Sequence, residues 1–139
     1  MINFFYETNI ELLNEVALSS WISAVILSEN KLEGEINFIL CDDKYLLKIN
    51  QDFLNHDTFT DIISFDNTMG DQLNGDIFIS VERVEENARE FMVSKEEEMR
   101  RVLIHGILHF CGYKDKLDEE KKLMRQKENE KLLMFHVEH

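Results

Sequence analysis

The stretch at residues 102–116, VLIHGILHFCGYKDK, constrains the fold of this chain more than any other. It places His105 and His109 four residues apart, so that in an α-helix both imidazoles lie on one face. Gly112 follows and can adopt the left-handed conformation that ends a helix and reverses the chain. Asp115 can then reach the point where the two imidazoles converge. The pattern predicts a helix and a tight turn that together build a polar site.

The residue types in this stretch indicate a metal site. Two imidazoles and one carboxylate form the three-ligand set of a catalytic zinc centre, which keeps a fourth coordination position open. Taken singly, each residue is equally explained as a surface histidine or a loop acid, and it is their combination that favours a metal. We predict one zinc ion bound by His105, His109 and Asp115. The carboxylate also admits another divalent metal.

The spacing is similar to the histidine motif of the metzincin proteases, but it departs at the residue after the first histidine. That residue is Gly106, where a zinc protease has its general-base glutamate. Peptide hydrolysis is therefore disfavoured. A glycine inside a helix costs about 1 kcal/mol relative to alanine, so a compensating reason is expected. Two reasons stay open: a bulky substrate approaches the metal here, or the helix packs closely against a strand.

Length and composition predict a single globular domain over residues 1–139. Of the 139 residues, 44% are hydrophobic, which suffices for one core. No apolar run is long enough to span a membrane, and the first residues lack the features of a signal peptide. Cys41 and Cys111 stand far apart without a CxxC pattern, which favours reduced thiols. We expect a cytoplasmic protein with no membrane partner.

The net charge of −13 argues at first sight against a nucleic-acid partner, and no DNA partner is expected. The charge is unevenly distributed, however. Residues 1–82 carry 3 basic and 15 acidic side chains, whereas residues 83–139 carry 12 and 13. Four basic residues flank the histidine motif: Arg100, Arg101, Lys114 and Lys116. They form either a basic rim around the site or an ordinary solvated helix face.

The rest of the chain predicts an α+β domain with a mixed four-stranded sheet packed by helices and with the histidine motif on a central helix. Alternating and β-branched apolar residues predict strands at residues 2–6, 35–41, 60–65 and 75–80. The last two are expected to form a hairpin. Gly34 and residues 67–74 are interpreted as turns, and residues 51–59 as a loop.

Helical periodicity predicts five helices. They run to about residue 28, over a short segment after residue 42, from 80 to about 92, from 94 through the histidines, and from 117 to 134. Residues with capping chemistry mark four of the starts: Thr8 with Glu11, Asp42, Ser80, and Ser94 with Glu97.

Three blocks of sequence together resemble the YbeY-type endoribonucleases, a family of bacterial rRNA-maturation factors. The blocks are HGILH with GY at residues 105–109 and 112–113, TDIISF at 60–65, and GDI at 75–77. They follow one another in the family's order and at approximately its spacing. The resemblance implies a metal-dependent endoribonuclease that is specific for single-stranded RNA and acts in 16S rRNA 3′-end maturation and ribosome quality control. It also implies a zinc ion, and rRNA and the ribosome or its small-subunit proteins as partners.

Two positions depart from this family pattern. The family usually continues Gly-Tyr-Asp-His, whereas this chain has Gly112, Tyr113, Lys114 and Asp115, so that Asp115 replaces the third histidine. An upstream arginine of the family is replaced by Leu54 at its apparent position. If that arginine contacts phosphate, its absence either weakens RNA binding or passes the contact to other residues of this chain: His56, Arg100, Arg101, Lys114 or Lys116.

The expected chemistry is metal-assisted cleavage of a phosphodiester. The metal would polarise a phosphate oxygen or activate a water, and the basic rim would neutralise the developing charge. The general base is not identified by the sequence. Asp61 and Asp76 are candidates if the strand ends face the cleft, although turn or cap hydrogen bonding explains them more simply. Thr60 and Ser64 could line the same cleft.

Two other functions stay open. The chain could be a non-catalytic ribosome assembly factor with a structural metal, whose acidic half binds basic ribosomal protein. It could also be a metal-dependent hydrolase of another substrate. His136 and His139, close to the C-terminus, could chelate a metal but are more simply explained as a frayed end.

Overall fold

A computed structural model of the chain describes residues 1–10, 12, 14–56 and 60–135. The described elements, in chain order, are β1 (Ile2–Tyr6), α1 (Glu15–Ser28), β2 (Leu32–Cys41), α2 (Asp43–Leu54), β3 (Ile62–Asp66), β4 (Gln72–Ser80), α3 (Val81–Phe91), α4 (Lys95–Phe110) and α5 (Asp118–Leu132). The predicted α+β class with a four-stranded sheet is confirmed. None of the helices in the described ranges combines the length and the apolar character needed to cross a bilayer.

The sheet is mixed, with the strand order β1-β2-β4-β3. β1 and β4 both pair with β2 in parallel, whereas β3 pairs with β4 in antiparallel fashion. The hairpin predicted between the third and fourth strands is therefore confirmed. Because side chains alternate between the faces of a strand, each strand offers one row of side chains to each side of the sheet.

The main hydrophobic core lies between one face of the sheet and α1 and α4. Phe38 of β2 and Ile77 of β4 are fully buried there, together with Ile104 and Ile107 of α4. α4 is buried on most of its sides, which makes it the central helix that the sequence predicted. A smaller cluster around Leu46 of α2 covers part of the opposite face.

Three helices begin at the capping residues predicted from sequence. The side-chain oxygens of Asp42, Ser80 and Ser94 each accept a hydrogen bond from the backbone N–H three residues later, at 2.8, 3.2 and 3.1 Å. Such bonds satisfy backbone donors that have no partner inside the helix. α1 begins only at Glu15, later than predicted. The capping box that was predicted to start it includes Glu11, which lies outside the described residues.

Other element boundaries differ from those predicted. Strand pairing between distant residues, or a further turn of helix, occupies segments that were predicted as turns or loops. Gly34 lies inside β2, at a register shift, and a Cβ there would come within 2.5 Å of the Leu73 carbonyl oxygen. Residues 51–54 are the last turn of α2 and not a loop, while residues 57–59 lie outside the described part. β4 begins at Gln72, within the predicted turn, because Gln72 pairs with Leu32.

Candidate metal centre and cleft

The turn after α4 brings Asp115 back to the two histidines. α4 ends at Phe110, and Gly112 has a φ of +105°, a conformation that side chains other than glycine rarely adopt. The Gly112 N–H donates to the His109 carbonyl at 3.0 Å, and the next N–H donates to the Leu108 carbonyl at 3.1 Å. These bonds close the helix end and reverse the chain, as the sequence predicted.

Three potential metal ligands converge at this point. The Asp115 Oδ2 atom lies 3.1 Å from His105 Nε2 and 3.4 Å from His109 Nε2, and the two Nε2 atoms are 3.0 Å apart. The three side chains are partly buried, and their ligand atoms all lie within 4.8 Å of one another. This group could bind a metal ion, since two nitrogens and one oxygen point at a common centre.

Glu128, which the sequence analysis missed, supports His105 from behind. Its Oε2 atom lies 2.7 Å from His105 Nδ1, and its Oε1 atom accepts a hydrogen bond from Arg101 at 2.9 Å. Glu128 is only 5% exposed. A carboxylate that binds the Nδ1–H leaves the Nε2 lone pair free for a metal, which is the arrangement typical of metal-ligating histidines.

The same contacts shift the protonation of this pair when no metal is bound. Burial lowers the pKa of His105, but the Glu128 hydrogen bond and the negative charges of Glu128, Asp115 and Asp61 outweigh it and raise the pKa above its ordinary value of 6.5. Burial raises the pKa of Glu128, but hydrogen bonds to His105 and Arg101 outweigh it and lower the pKa below 4.5. A proton and a metal ion therefore compete for His105.

These shifts predict how the stability of the metal-free protein depends on pH. The His105 contribution is complete below 6.5 and is lost as the pH rises through the raised pKa. The Glu128 contribution is present above 4.5 and is lost as the pH falls through the lowered pKa. In chelator, urea unfolding should show that Glu128→Gln destabilises the protein more at about pH 5.5 than at about pH 8.

The control for this measurement is Glu86→Gln, which changes an exposed carboxyl group on α3. It should change the free energy of unfolding little at either pH. An equal cost of Glu128→Gln at both pH values would contradict the assignment of the pair.

His105, His109 and Asp115, called the metal group below because they could share an ion, lie in a cleft of about 540 Å³. One side of the cleft is a stripe of α4 side chains at helical spacing: Glu98, Arg101, Val102, His105 and His109. The structure places Thr60, Asp61 and Ser64 in the facing wall. Asp61 accepts a hydrogen bond from the Asn87 side-chain amide at 3.2 Å. Burial raises the pKa of Asp61, and the charge of His105 opposes this only in part.

Asp76 is not brought to the cleft. Its neighbour Ile77 points towards α4, so the Asp76 side chain lies on the opposite face of the sheet. There it accepts a hydrogen bond from the Asn37 amide at 3.0 Å, and Asn37 accepts one from Asn3 at 3.0 Å. Of the two aspartates predicted as general bases, only Asp61 has access to the metal group.

The predicted basic rim is only partly realised. Arg101 lines the cleft, but its guanidinium is engaged by Glu128 and by Asn129. Arg100 points elsewhere and lies 4.6 Å above the ring of Phe135. Arg125 of α5, which the sequence analysis did not single out, also lines the cleft.

The other predicted phosphate contacts lie outside the cleft wall. Lys114 and Lys116 are exposed on either side of Asp115. Leu54 ends α2 and His56 follows it, exposed, and neither lines the cleft. The structure therefore gives no support to His56 as a replacement for the missing arginine. His136 and His139 lie outside the described residues.

Comparison with known proteins identifies the family. A family model described as Endoribonuclease YbeY matches residues 4–136. The chain belongs to this family. A protein of Flavobacterium johnsoniae named Endoribonuclease YbeY is 67% identical over 138 residues, which cover 99% of each chain. One of Flavobacterium psychrophilum with the same name is 62% identical and covers 99% of this chain and 98% of its own. The family predicted from the three sequence blocks is confirmed.

The fold is similar to that of a solved structure as well. TM1509 from Thermotoga maritima, known from a solution structure, superposes with a TM-score of 0.70 at 29% identity and covers 97% of this chain and 89% of its own.

In this YbeY family member, Gly106 is explained by packing against the sheet. Gly106 is buried, and a Cβ there would lie 3.0 Å from Ile77 Cδ1 and 3.2 Å from Ile62 Cδ1. Of the two reasons considered for this glycine, close helix–strand packing is the one that the structure supports. The alternative of room for a bulky substrate is wrong, because Gly106 faces the two strands and does not line the cleft.

A second group of residues missed by the sequence analysis anchors the Asp115 turn. The Tyr113 hydroxyl donates to Glu29 at 2.5 Å, and Glu29 pairs with Lys131 at 2.7 Å. Lys131 is 3% exposed. These contacts tie the turn to the end of α1 and to α5, which positions Asp115 two residues further on.

Proposed function

We propose that residues 1–139 form one metal-dependent endoribonuclease domain that cleaves single-stranded RNA. The observation that carries this proposal is the convergence of His105, His109 and Asp115 in an open cleft. The relatives that cover almost the whole chain are named endoribonucleases, which supports RNA as the substrate. The cleft is open to solvent and bordered by basic side chains.

The proposed metal is one zinc ion. Two imidazole nitrogens and one carboxylate oxygen are ligands that zinc accepts, and Glu128 supplies the outer carboxylate that commonly orients a zinc-bound histidine. When bound, the ion would supply Lewis-acid chemistry to a phosphate oxygen.

Asp61 is the proposed general base. It is partly buried in the cleft wall, and Asn87 holds one of its oxygens. A carboxyl group whose pKa is raised by burial is better suited to accept a proton near neutral pH than an exposed one. Asp61 would accept the proton of the attacking hydroxyl group.

Phosphate contacts are assigned to Arg125 in the cleft wall and to the exposed Lys114 and Lys116, which lie outside that wall on either side of Asp115. The Arg125 side chain is 55% exposed in the cleft wall, and its 3.5 Å contact with Glu128 is longer than the 2.9 Å contact of Arg101, so Arg125 is the guanidinium that can more easily turn towards a phosphate. Arg101 is 20% exposed and is held by Glu128, which suits it to fixing the metal support and not to following the substrate.

We place this activity on rRNA in the cytoplasm, in 16S rRNA 3′-end maturation and ribosome quality control, with the ribosome or its small-subunit proteins as partners. The family membership of the chain supports this assignment. The net charge of −13 lies mainly on residues 1–82, so residues 83–139, which supply α3, α4 and α5 to the cleft, do not repel RNA strongly.

Cleavage assays with matched aspartate variants test the proposal. The wild-type protein should cut single-stranded RNA, spare a duplex of the same sequence, and lose activity in chelator. Asp61→Asn should lower the cleavage rate about 100-fold or more, since this is the usual range for loss of a general base. Asp76→Asn, the same change on the other face of the sheet, should retain the rate.

Three results would contradict this proposal. Cleavage that persists in chelator would exclude metal dependence. Equal effects of the two aspartate variants would exclude Asp61 as the base. A folded, metal-loaded protein that binds ribosomal subunits but cuts no RNA would instead indicate an assembly factor.

A further inference from the structure

The end of the cleft away from the metal group contains a buried carboxylate that the proposed mechanism does not use. Glu98 lies on α4 two helical turns before His105, about 10.5 Å away along the helix axis. It is 5% exposed, yet it lines the cleft. Within the described part of the chain, no side-chain cation lies within 4.0 Å of its carboxylate, and no hydrogen bond to its oxygens is found.

Placing an acid in this position raises the free energy of the folded protein when no ligand is bound. In the described part of the chain, every fully buried side-chain nitrogen or oxygen has a hydrogen-bond partner, so the Glu98 oxygens reach the solvent of the cleft. A carboxylate with so little exposed surface is nevertheless only partly hydrated. Burial accordingly raises the pKa of Glu98, and the charge of Arg101 opposes this only in part. A ligand that donates hydrogen bonds into the cleft would supply the missing partner.

Two further side chains at this end indicate what kind of ligand fits. Phe91, the last residue of α3, lines the cleft and is 50% exposed, although an aromatic ring of this size is usually buried. Asn87, one turn earlier, donates its amide N–H to Asp61, which leaves its carbonyl oxygen as an acceptor. An exposed ring beside a buried carboxylate and a half-buried amide oxygen suits a flat, aromatic ligand with several donors.

A second metal ion fits this end less well. Among the described residues, the group His105, His109 and Asp115 is the one in which three or more potential ligand atoms approach closely enough to share an ion. Glu98 belongs to no such group.

We propose that this end of the cleft is a nucleobase subsite that selects guanine, with Phe91 stacked on the base and Glu98 accepting hydrogen bonds from its Watson–Crick edge. This inference rests on the proposed function, because it assumes that single-stranded RNA lies along the cleft. Unpaired bases are commonly read by stacking on an aromatic side chain together with hydrogen bonds to that edge.

The choice of guanine follows from the acceptors. A carboxylate accepts two hydrogen bonds side by side, and guanine offers adjacent N1–H and N2–H donors. Cytosine and adenine each offer one exocyclic amino group next to a ring acceptor. Uracil places two carbonyl oxygens beside its single N–H, so it meets Glu98 and the Asn87 carbonyl least favourably.

The test measures the binding of fluorescently labelled 2′-O-methyl oligouridylates that carry one central guanosine, adenosine or cytidine. The metal-loaded wild-type protein should bind the guanosine oligomer about tenfold more tightly than plain oligouridylate. Glu98→Gln should remove this preference, so that the guanosine oligomer and plain oligouridylate bind with equal affinity. Phe91→Ala should weaken binding of every oligomer, and Phe91→Tyr should restore it.

Matched controls separate the subsite from general effects of charge and exposure. Glu96→Gln removes an exposed acid from the first turn of the same helix, and Leu27→Ala removes an exposed apolar side chain far along the chain. Both should keep the guanine preference. If Glu98→Gln fails to fold, Glu98→Asp, which keeps the charge and shortens the side chain by one methylene, should lower the guanine preference in its place.

The possible failures can be distinguished. RNA that binds and is cut with no base preference, or a preference that survives both Glu98→Gln and Phe91→Ala, would overturn the subsite while the proposed function stands. Loss of a second equivalent of metal in Glu98→Gln would show a metal site and also overturn it. A metal-loaded protein that binds none of the oligomers would overturn the inference and the proposed function together.

Discussion

Replacing His105 with alanine should remove the metal and abolish RNA cleavage while the fold is kept. The His105 imidazole is the one side chain of the group that contacts both other ligands and the supporting carboxylate, at 3.1 Å from Asp115, 3.0 Å from His109 and 2.7 Å from Glu128. Loss of an outer partner alone typically weakens metal binding 10- to 100-fold, so loss of a ligand should exceed about 100-fold. Elemental analysis of the purified protein and the cleavage assay measure the two effects.

The folded structure should survive this change because the buried part of α4 faces away from the site. Leu103, Ile104 and Ile107 keep their packing, and Glu128 keeps its hydrogen bond from Arg101. His56→Ala is the matched control, since it removes an exposed histidine that does not line the cleft. A His105→Ala protein that retains stoichiometric metal would refute the assignment of this centre.

Replacing Gly75 with alanine should destabilise the protein by about 3 kcal/mol, at the upper end of the usual cost of overpacking a core. Gly75 opens the GDI block of β4, and a Cβ there would collide with the Phe65 carbonyl oxygen of the paired strand and come within 2.6 Å of Phe110 Cζ. The strand cannot retreat without breaking its ladder with β3, and Phe110 is fixed at the end of α4. Urea unfolding measures the loss.

Gly70→Asn is the control for this prediction. Gly70 also has a positive φ, +60°, but a Cβ there meets nothing within 4 Å, and asparagine tolerates this conformation better than most residues. It should therefore cost much less than Gly75→Ala. Equal free energies of unfolding for the two variants would show that the stability does not depend on the close approach of Gly75 to β3 and α4.

Several features of the site could be predicted from the sequence because they depend on neighbours within a few residues. The common face of His105 and His109 follows from helix geometry, and the reversal at Gly112 follows from its freedom to take a positive φ. The caps at Ser80 and Ser94 rest on hydrogen bonds that span three residues. The three family blocks extended this local information to the family to which the chain belongs.

Other functional side chains could not be found in this way because their role arises from contacts between distant elements. Glu128 lies 23 positions after the histidine that it supports, on a helix whose buried face carries the charged Glu128 and Lys131 beside Met124. No apolar periodicity marks such a face. Arg125, Phe91 and Glu98 likewise became part of one cleft only when α3, α4 and α5 packed together.

The sequence by itself determined that a histidine pair with the spacing of metal ligands stands on a central helix and that Asp115 follows it after a tight turn. Only the tertiary structure decided between Asp61 and Asp76, which look alike in the sequence. Successive residues of a strand point to opposite faces, and α4 covers one face of the sheet. Asp76, inside β4, therefore lies beside Asn37 on the face away from α4. Asp61 stands in the bend before β3, outside this alternation, and the bend places it in the cleft wall.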